Sequence, residues 1–329
     1  MRILITGGTG FIGSRMARQC QESGHSVTVF GRENNPVEVE NARLLREAGV
    51  RLVVGSITDS RLLPDLVRDI DVVFHLAAVQ HEMNVPDQVF FDVNVEGTRN
   101  LLEVCVAAGV RRFVHGSTIG VYGSLSQTVD ESVPCRPDNI YGITKLEGEK
   151  LALSYNDRIP VVAIRISEVY GPGDRRLLKL FSAIQRGVFM MIGSGKNFHH
   201  PIYVDDLIHG LLLASCSPEA PGQVLLLPGR DIVTTEEMVN VIASELNAKR
   251  LPFRASLAPM LLLATVTEKT LRPLGIQPPL HRRRMDFFRK SFTLSGKRAA
   301  ELLGFNPQTD FRAGVARTAA WYREKGYLK

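Results

Sequence analysis

Short apolar runs alternate with amphipathic stretches through the first half of the chain. Strand candidates lie at residues 2–5, 26–30, 51–54, 72–75, 112–115 and 161–166. Helix patterns fall between them, at about 11–23, 60–68, 94–108 and 139–156. Within 94–108 the apolar positions Leu101, Leu102, Cys105 and Ala108 recur at helical spacing, and Gly109 stands where a C-terminal cap belongs. Strand and helix in turn imply βαβ crossovers and a parallel sheet covered on both faces. After residue 166 the rhythm breaks. Gly171-Pro172-Gly173 and a series of prolines up to Pro278-Pro279 punctuate shorter elements. Thr234 with Glu237 three residues on reads as a capped helix start. The reading is a domain over 1–166 and a smaller C-terminal lobe over 167–329, with segments near 202–228 returning to the first domain.

The first strand runs directly into Thr6-Gly7-Gly8-Thr9-Gly10-Phe11-Ile12-Gly13. Glycines at 7, 10 and 13 between a strand and a helix have a physical use. Gly7 permits a tight turn, Gly10 lets the backbone approach a pyrophosphate, and Gly13 lets helix and strand pack closely. Helix-start N–H groups then face the phosphates. The fold class is therefore α/β, a Rossmann-type doubly wound parallel sheet with a C-terminal substrate lobe.

A second constellation carries chemistry. Tyr141 and Lys145 are four apart on a helix pattern and share a face. Residues 116–123, Gly-Ser-Thr-Ile-Gly-Val-Tyr-Gly, leave the C-terminal end of a strand candidate, where open α/β sheets place their sites. A phenol is a poor base at neutral pH. A nearby ammonium favours the phenolate, so Tyr141 can exchange a proton with a substrate oxygen while Thr118 holds it.

Taken together, these segments resemble the extended short-chain dehydrogenase/reductases of the NAD-dependent epimerase/dehydratase type. The matching set is Thr6–Gly13, residues 75–78 (His-Leu-Ala-Ala), 94–98 (Asn-Val-Glu-Gly-Thr), 117–123, 141–145, 165–173, 203–206 (Tyr-Val-Asp-Asp) and the tail 297–321. The resemblance implies an enzyme in which Thr118, Tyr141 and Lys145 are catalytic, with Lys145 also on the nicotinamide ribose. It implies a cofactor channel of Gly7, Gly10, Phe11, Ile12, Gly13, Ser56, Ile57, Ala77 and Ala78, supported by Asn94. It also implies a homodimer through the helices at 94–108 and 141–156.

Departures from the family pattern sharpen the reading. The second strand ends Phe30-Gly31-Arg32, without the carboxylate that holds a ribose 2′-hydroxyl. Arg32 suits a 2′-phosphate, so NADP is expected over NAD. Ser56 stands where the family often has an adenine-binding aspartate. Glu168 and His199 occupy positions where sugar-nucleotide enzymes place an asparagine and an arginine on the phosphates; both are candidate substrate contacts. Ile119-Gly120 replaces the Asp-Glu pair of the dehydratases, which argues against dehydration. The tail, with residues 257–266 and Pro278-Pro279, also looks similar to the 3β-hydroxysteroid dehydrogenase branch. The expected function is hydride transfer at a secondary alcohol carbon of a nucleotide-sugar-like substrate. The alternatives are a 3β-hydroxysteroid-type enzyme on an apolar alcohol and a non-catalytic dinucleotide sensor.

Charge and cysteine usage add bounds. The net charge is +6, with basic residues clustered at 282–284, 289–290 and 297–298. A solvated face, an anionic-substrate site and a membrane-surface contact beside 257–266 all fit that cluster. It carries no nucleic-acid motif, so nucleic acid is not an expected partner. The longest apolar stretch, 257–266, is about half the ~20 residues a membrane-spanning helix needs. Four scattered cysteines and a first strand that starts at the N-terminus lead to a cytoplasmic expectation. No bound metal is expected: His199-His200 lacks further ligands at suitable spacing.

Overall fold

The computed structural model describes residues 1–80, 85–124, 128–249, 251, 253–271 and 282–329. Seven strands form its main sheet: β1 Arg2–Thr6, β2 Ser26–Gly31, β3 Arg51–Val54, β4 Val72–His75, β5 Arg112–Thr118, β6 Val161–Ile166 and β7 Val224–Leu227. Their order across the sheet is β7-β6-β5-β4-β1-β2-β3, and every neighbouring pair is parallel. The order reverses between β1 and β4, so a crevice opens there at the carboxyl ends of the strands.

Side chains alternate across the sheet with period two. Ile3, Ile5 and Phe74 face one core, which also holds Met16 and Ala17 of helix Phe11–Glu22 and Leu207 and Leu211 of helix Val204–Cys216. Leu4, Val73 and Phe113 face the other, against Leu66 of helix Leu63–Val67 and Leu101, Leu102 and Cys105 of helix Gly97–Ala107. Each fully buried side chain of this size contributes about 1.5–3 kcal/mol. A third core joins Phe181, Met238, Val239, Val315 and Tyr322 in the C-terminal lobe.

Several expected elements change in detail. The fifth strand extends past residue 115, because Gly116, Ser117 and Thr118 keep pairing with Ile164, Arg165 and Ile166. The 94–108 pattern becomes helix Asp87–Phe91, a π-helical turn Asp92–Glu96 and helix Gly97–Ala107. The turn swings the buried Asn94 inward, where its side chain bonds Val79 and Thr144. The 60–68 pattern splits into a 3-10 turn Ser60–Leu62 and helix Leu63–Val67, which ends before Asp69 at φ 61°. Helix Thr235–Glu245 starts with a full capping box of Thr234 and Glu237.

Candidate active site

β1 delivers Thr6 to the crevice, and the chain turns at Gly7, whose φ is +67°. A Cβ at Gly7 would lie 2.7 Å from the Ala77 nitrogen, so a side chain is excluded by both conformation and space. A Cβ at Gly13 would lie 2.6 Å from the Gly7 carbonyl oxygen, which shows how tightly the helix start is drawn against the turn. Helix Phe11–Glu22 has no side-chain cap and no acidic residue in its first turn. Its first N–H groups therefore present an uncancelled positive end to the crevice.

Two cavities open on this turn. One, of about 260 Å³, is walled by Gly7, Gly10, Phe11, Ile12 and Gly13 on one side and by Thr118, Tyr141 and Lys145 on the other. Ala78, Ser117 and Arg176 complete that wall. The second, of about 150 Å³, is lined by Arg32, Glu38, Ser56, Ile57, Ala77 and Ala78. Both share Gly7, Gly10, Leu76 and Ala78, so they are two ends of one cleft across the sheet.

Tyr141 and Lys145 reach the cleft from helix Ile140–Ser154. Asn139 caps it by accepting from the Gly142 N–H at 3.0 Å. Burial pushes the Lys145 amine down to about 8, against a smaller upward pull from Glu149 one turn on. Lys145 thus stays ammonium at neutral pH but close to its titration point. Thr118 Oγ1 accepts the Gly120 N–H at 3.1 Å, which leaves its hydroxyl proton to donate. Behind them sits a buried ion pair. Arg165 grips both Glu149 carboxylate oxygens at 2.6 and 3.0 Å, Ser117 donates to the same carboxylate at 2.6 Å, and Arg165 also donates to the Tyr122 oxygen at 2.6 Å.

Two histidines lie under the crevice. His75 Nδ1 is 2.7 Å from Thr6 Oγ1, and its Nε2 is 2.9 Å from Thr98 Oγ1. Thr98 spends its own proton on the Asn94 carbonyl, so His75 donates from Nε2 and accepts from Thr6. Burial drives its pKa down to about 3. His115 is equally buried, and neither ring nitrogen has a partner among the described residues. Burial and the Lys145 charge push its pKa well down too.

The remaining candidates fall elsewhere. Asn94 is buried behind the cleft and fixes the Val79 backbone rather than lining either cavity. His199 Nδ1 meets Glu168 at 3.0 Å, and its Nε2 meets Thr235 Oγ1 at 2.9 Å. His199 is buried, whereas the Glu168 side chain keeps 39% of its surface open. Burial alone would raise the Glu168 pKa, but His199 and Arg176 outweigh it, and the net direction is down. Burial likewise opposes the rise at His199, and Glu168 prevails. The pair is ionic; Ser167 and Val169, the chain neighbours of Glu168, line the larger cavity, and Glu168 itself is not part of that lining.

Sequence reading missed Arg176, which faces the same cavity as Tyr141. It is held by Asp174 at 3.0 Å and by the Val169 carbonyl at 2.6 Å. It also missed the Glu149–Arg165 pair. Two signals were present: an arginine inside an otherwise apolar strand, and a glutamate one helical turn beyond Lys145.

Comparison with known proteins fits this geometry. A family model described as the NAD dependent epimerase/dehydratase family matches residues 3–226. A 2-alkyl-3-oxoalkanoate reductase of Stenotrophomonas maltophilia is 28% identical, over 97% of this chain and 99% of the relative. A 3beta-hydroxysteroid-dehydrogenase/decarboxylase (isoform 2) of Arabidopsis thaliana is 27% identical over 96% of this chain. The chain spans 61% of that longer plant relative. A solved structure of the dTDP-glucose 4,6-dehydratase DesIV of Streptomyces venezuelae, with NAD bound, superposes with a TM-score of 0.79. It is 28% identical and covers 100% of this chain and 99% of its own.

Proposed function

The chain belongs to the NAD-dependent epimerase/dehydratase family, and on that premise we propose that it oxidises and reduces a secondary alcohol–ketone pair through Thr118, Tyr141 and Lys145. One observation carries the reading: these three side chains face the glycine turn across a single cavity. The residues fit a dinucleotide. A Cβ built on Gly10 meets nothing but the Gly7 carbonyl within 4 Å, so bare backbone faces the space a pyrophosphate needs. A bound nicotinamide supplies the hydride acceptor or donor. Tyr141 takes the proton of the substrate hydroxyl, or returns it to the ketone. Thr118 donates a hydrogen bond to that oxygen, and the Lys145 ammonium lowers the energy of the phenolate.

NADP is the proposed cofactor. A side chain at Gly31 has no room, because its Cβ would sit 2.5 Å from Thr9 Oγ1, so no carboxylate fits at that strand end. Arg32 lines the smaller cavity and suits a 2′-phosphate. NADPH should bind tighter than NADH, and Arg32→Ser should weaken NADPH roughly tenfold with little effect on NADH. Tighter NADH binding by the unmodified chain overturns the assignment.

Among substrates the site favours an apolar ketone or alcohol over a sugar nucleotide. By resemblance residue 168 borders the sugar-nucleotide phosphates, and Glu168 is held ionised there. Two like charges about 4 Å apart repel by ~1–4 kcal/mol. The full-length similarity to an oxoalkanoate reductase supports the same choice. A nucleotide-sugar epimerase is the second reading; the likeness to DesIV, a dTDP-glucose dehydratase, supports its nucleotide-sugar substrate class. Native mass spectrometry separates them: exchange of reduced for oxidised cofactor in each turnover belongs to a reductase, and a retained cofactor to an epimerase. Tyr141→Phe tests the chemistry. Turnover should fall by ~10²-fold or more while cofactor affinity holds, and unchanged turnover removes the mechanism. We further propose, on the same resemblance, a homodimer through helices Gly97–Ala107 and Ile140–Ser154. The four free, separate cysteines support a cytoplasmic setting.

A further inference from the structure

The chain's positive charge is not spread over it. Residues 249–290 hold ten Lys and Arg against two acids, Glu268 and Asp286, while the other 287 residues hold 30 basic and 32 acidic side chains. The whole excess therefore lies in a segment of 42 residues. Glu236 and Asp138, from outside it, pair with Arg254 and Lys290, and the segment remains net positive with them counted.

The same segment exposes large apolar side chains. Helix Leu257–Leu271 is apolar on two faces. Its inner face, Met260, Leu261 and Ala264, packs on Ile192 and Met285. Its outer face presents the adjacent Leu262 at 67% exposure and Leu263 at 49%, then Val266 at 49% one turn on, with exposed Lys269 at the end of the stripe. Phe253, just before the helix, is 69% exposed. A solvated surface helix reverses that pattern. The neighbouring helix Arg282–Arg289 adds exposed Arg284 and Arg289.

We propose that the outer face of helix Leu257–Leu271, with Phe253 and the surrounding basic residues, docks on an anionic lipid surface. The apolar stripe enters the boundary between headgroups and acyl chains, and the basic side chains meet lipid phosphates. No helix among the described residues is long and apolar enough to cross a membrane, so the contact is interfacial. Charge decides the occupant. A second copy would bring the same positive segment and repel, whereas an anionic membrane complements it. The docked face lies one helix away from the Glu168–His199 pair: the Phe287 ring of helix Arg282–Arg289 lies tilted against His199, with ring centres 4.9 Å apart.

Vesicle co-sedimentation of the full chain tests this. It should sediment with mixed phosphatidylcholine–phosphatidylglycerol vesicles and far less with phosphatidylcholine alone. Raising salt from about 0.1 M to about 1 M, which shortens the screening length from ~10 Å to ~3 Å, should release it. The triple variant Leu262→Ser, Leu263→Ser, Val266→Ser should lose roughly tenfold or more in partitioning. Lys249→Glu with Lys269→Glu should weaken binding as well. Both variants should keep wild-type melting temperature and cofactor affinity. Absence of vesicle binding, binding indifferent to salt, or a triple variant that binds like wild type overturns the proposal. So does light scattering that finds a dimer which the triple variant dissolves.

Discussion

Replacing Lys145 with methionine should make the folded protein more stable and the enzyme inactive. Lys145 is 2% exposed, and its surroundings push its pKa from 10.5 down to about 8. At about 1.4 kcal/mol per pH unit, that difference is ~3 kcal/mol of destabilisation in the charged folded state. The sign follows from proton counting. Below pH 8 lysine is charged both folded and unfolded, and the full cost is present. Between 8 and 10.5 the folded protein has released a proton that the unfolded chain still holds, so stability rises with pH. Above 10.5 both states are neutral and the cost is gone. Methionine has similar length and no charge, and its flexible thioether adapts to irregular space. Glu149 is not stranded by the change, because Arg165 and Ser117 still hold it. Urea denaturation at pH 7 should therefore show the variant ~1–3 kcal/mol more stable, and the gap should close by about pH 10. Turnover should drop by ~10²-fold or more. A variant less stable than wild type at pH 7, or a gap that persists unchanged to pH 10, refutes the reasoning.

Gly7→Ala should destabilise the apo-protein by ~2–4 kcal/mol and weaken cofactor binding, since it adds left-handed strain to a 2.7 Å contact with Ala77. Gly49→Ala is the control: its φ is +73° but nothing lies within 4 Å, so urea melts should show a loss of only ~1–2 kcal/mol with cofactor titration unchanged. Acid should weaken the fold through the buried histidines. His75 titrates near 3 when folded and near 6.5 when unfolded. The stability it supports is complete above about 6.5 and is lost as pH falls toward 3, at up to ~1.4 kcal/mol per pH unit. His115 adds to that slope in the same direction. Denaturation series between pH 7 and 4 should show it flatten in His75→Gln, and an unchanged slope contradicts the assignment.

Much of the sheet was legible because parallel strands buried on both faces read as apolar runs, and the runs at 72–75 and 161–166 keep their bounds, as does the half-exposed edge strand at 51–54. The glycine turn and the Tyr141–Lys145 spacing were legible because their geometry is local. Helix Pro36–Glu47 was overlooked although Asn35 caps it and proline opens it, since its apolar stripe is thin: only Ala42 and Leu45 are buried. Strand Val224–Leu227 follows the break in rhythm after residue 166, so only the return of residues near 202–228 to the first domain was expected; its identity as a strand comes from pairing with Val161–Ile166. The π-helical turn has no sequence period of its own; it goes with the inward bonds of Asn94 to Val79 and Thr144. Glu149 and Arg165 each left a signal in the sequence, but their pairing depends on how helix Ile140–Ser154 packs on the sheet, and Arg176 on a loop that folds back to the Val169 carbonyl; no spacing along the chain encodes either contact.

The core on one face of the sheet joins Ile3 and Ile5 to Leu207, Leu225, Leu303 and Phe305. That arrangement imposes an order of events on biosynthesis. When residue 166 leaves the ribosome, six of the seven strands exist, but the side chains that cover much of this face are still untranslated. At about 5–20 residues per second, some 140 further residues take roughly 7–30 s. Throughout that interval the nascent chain offers a greasy, half-finished surface, the kind of surface that chaperones capture.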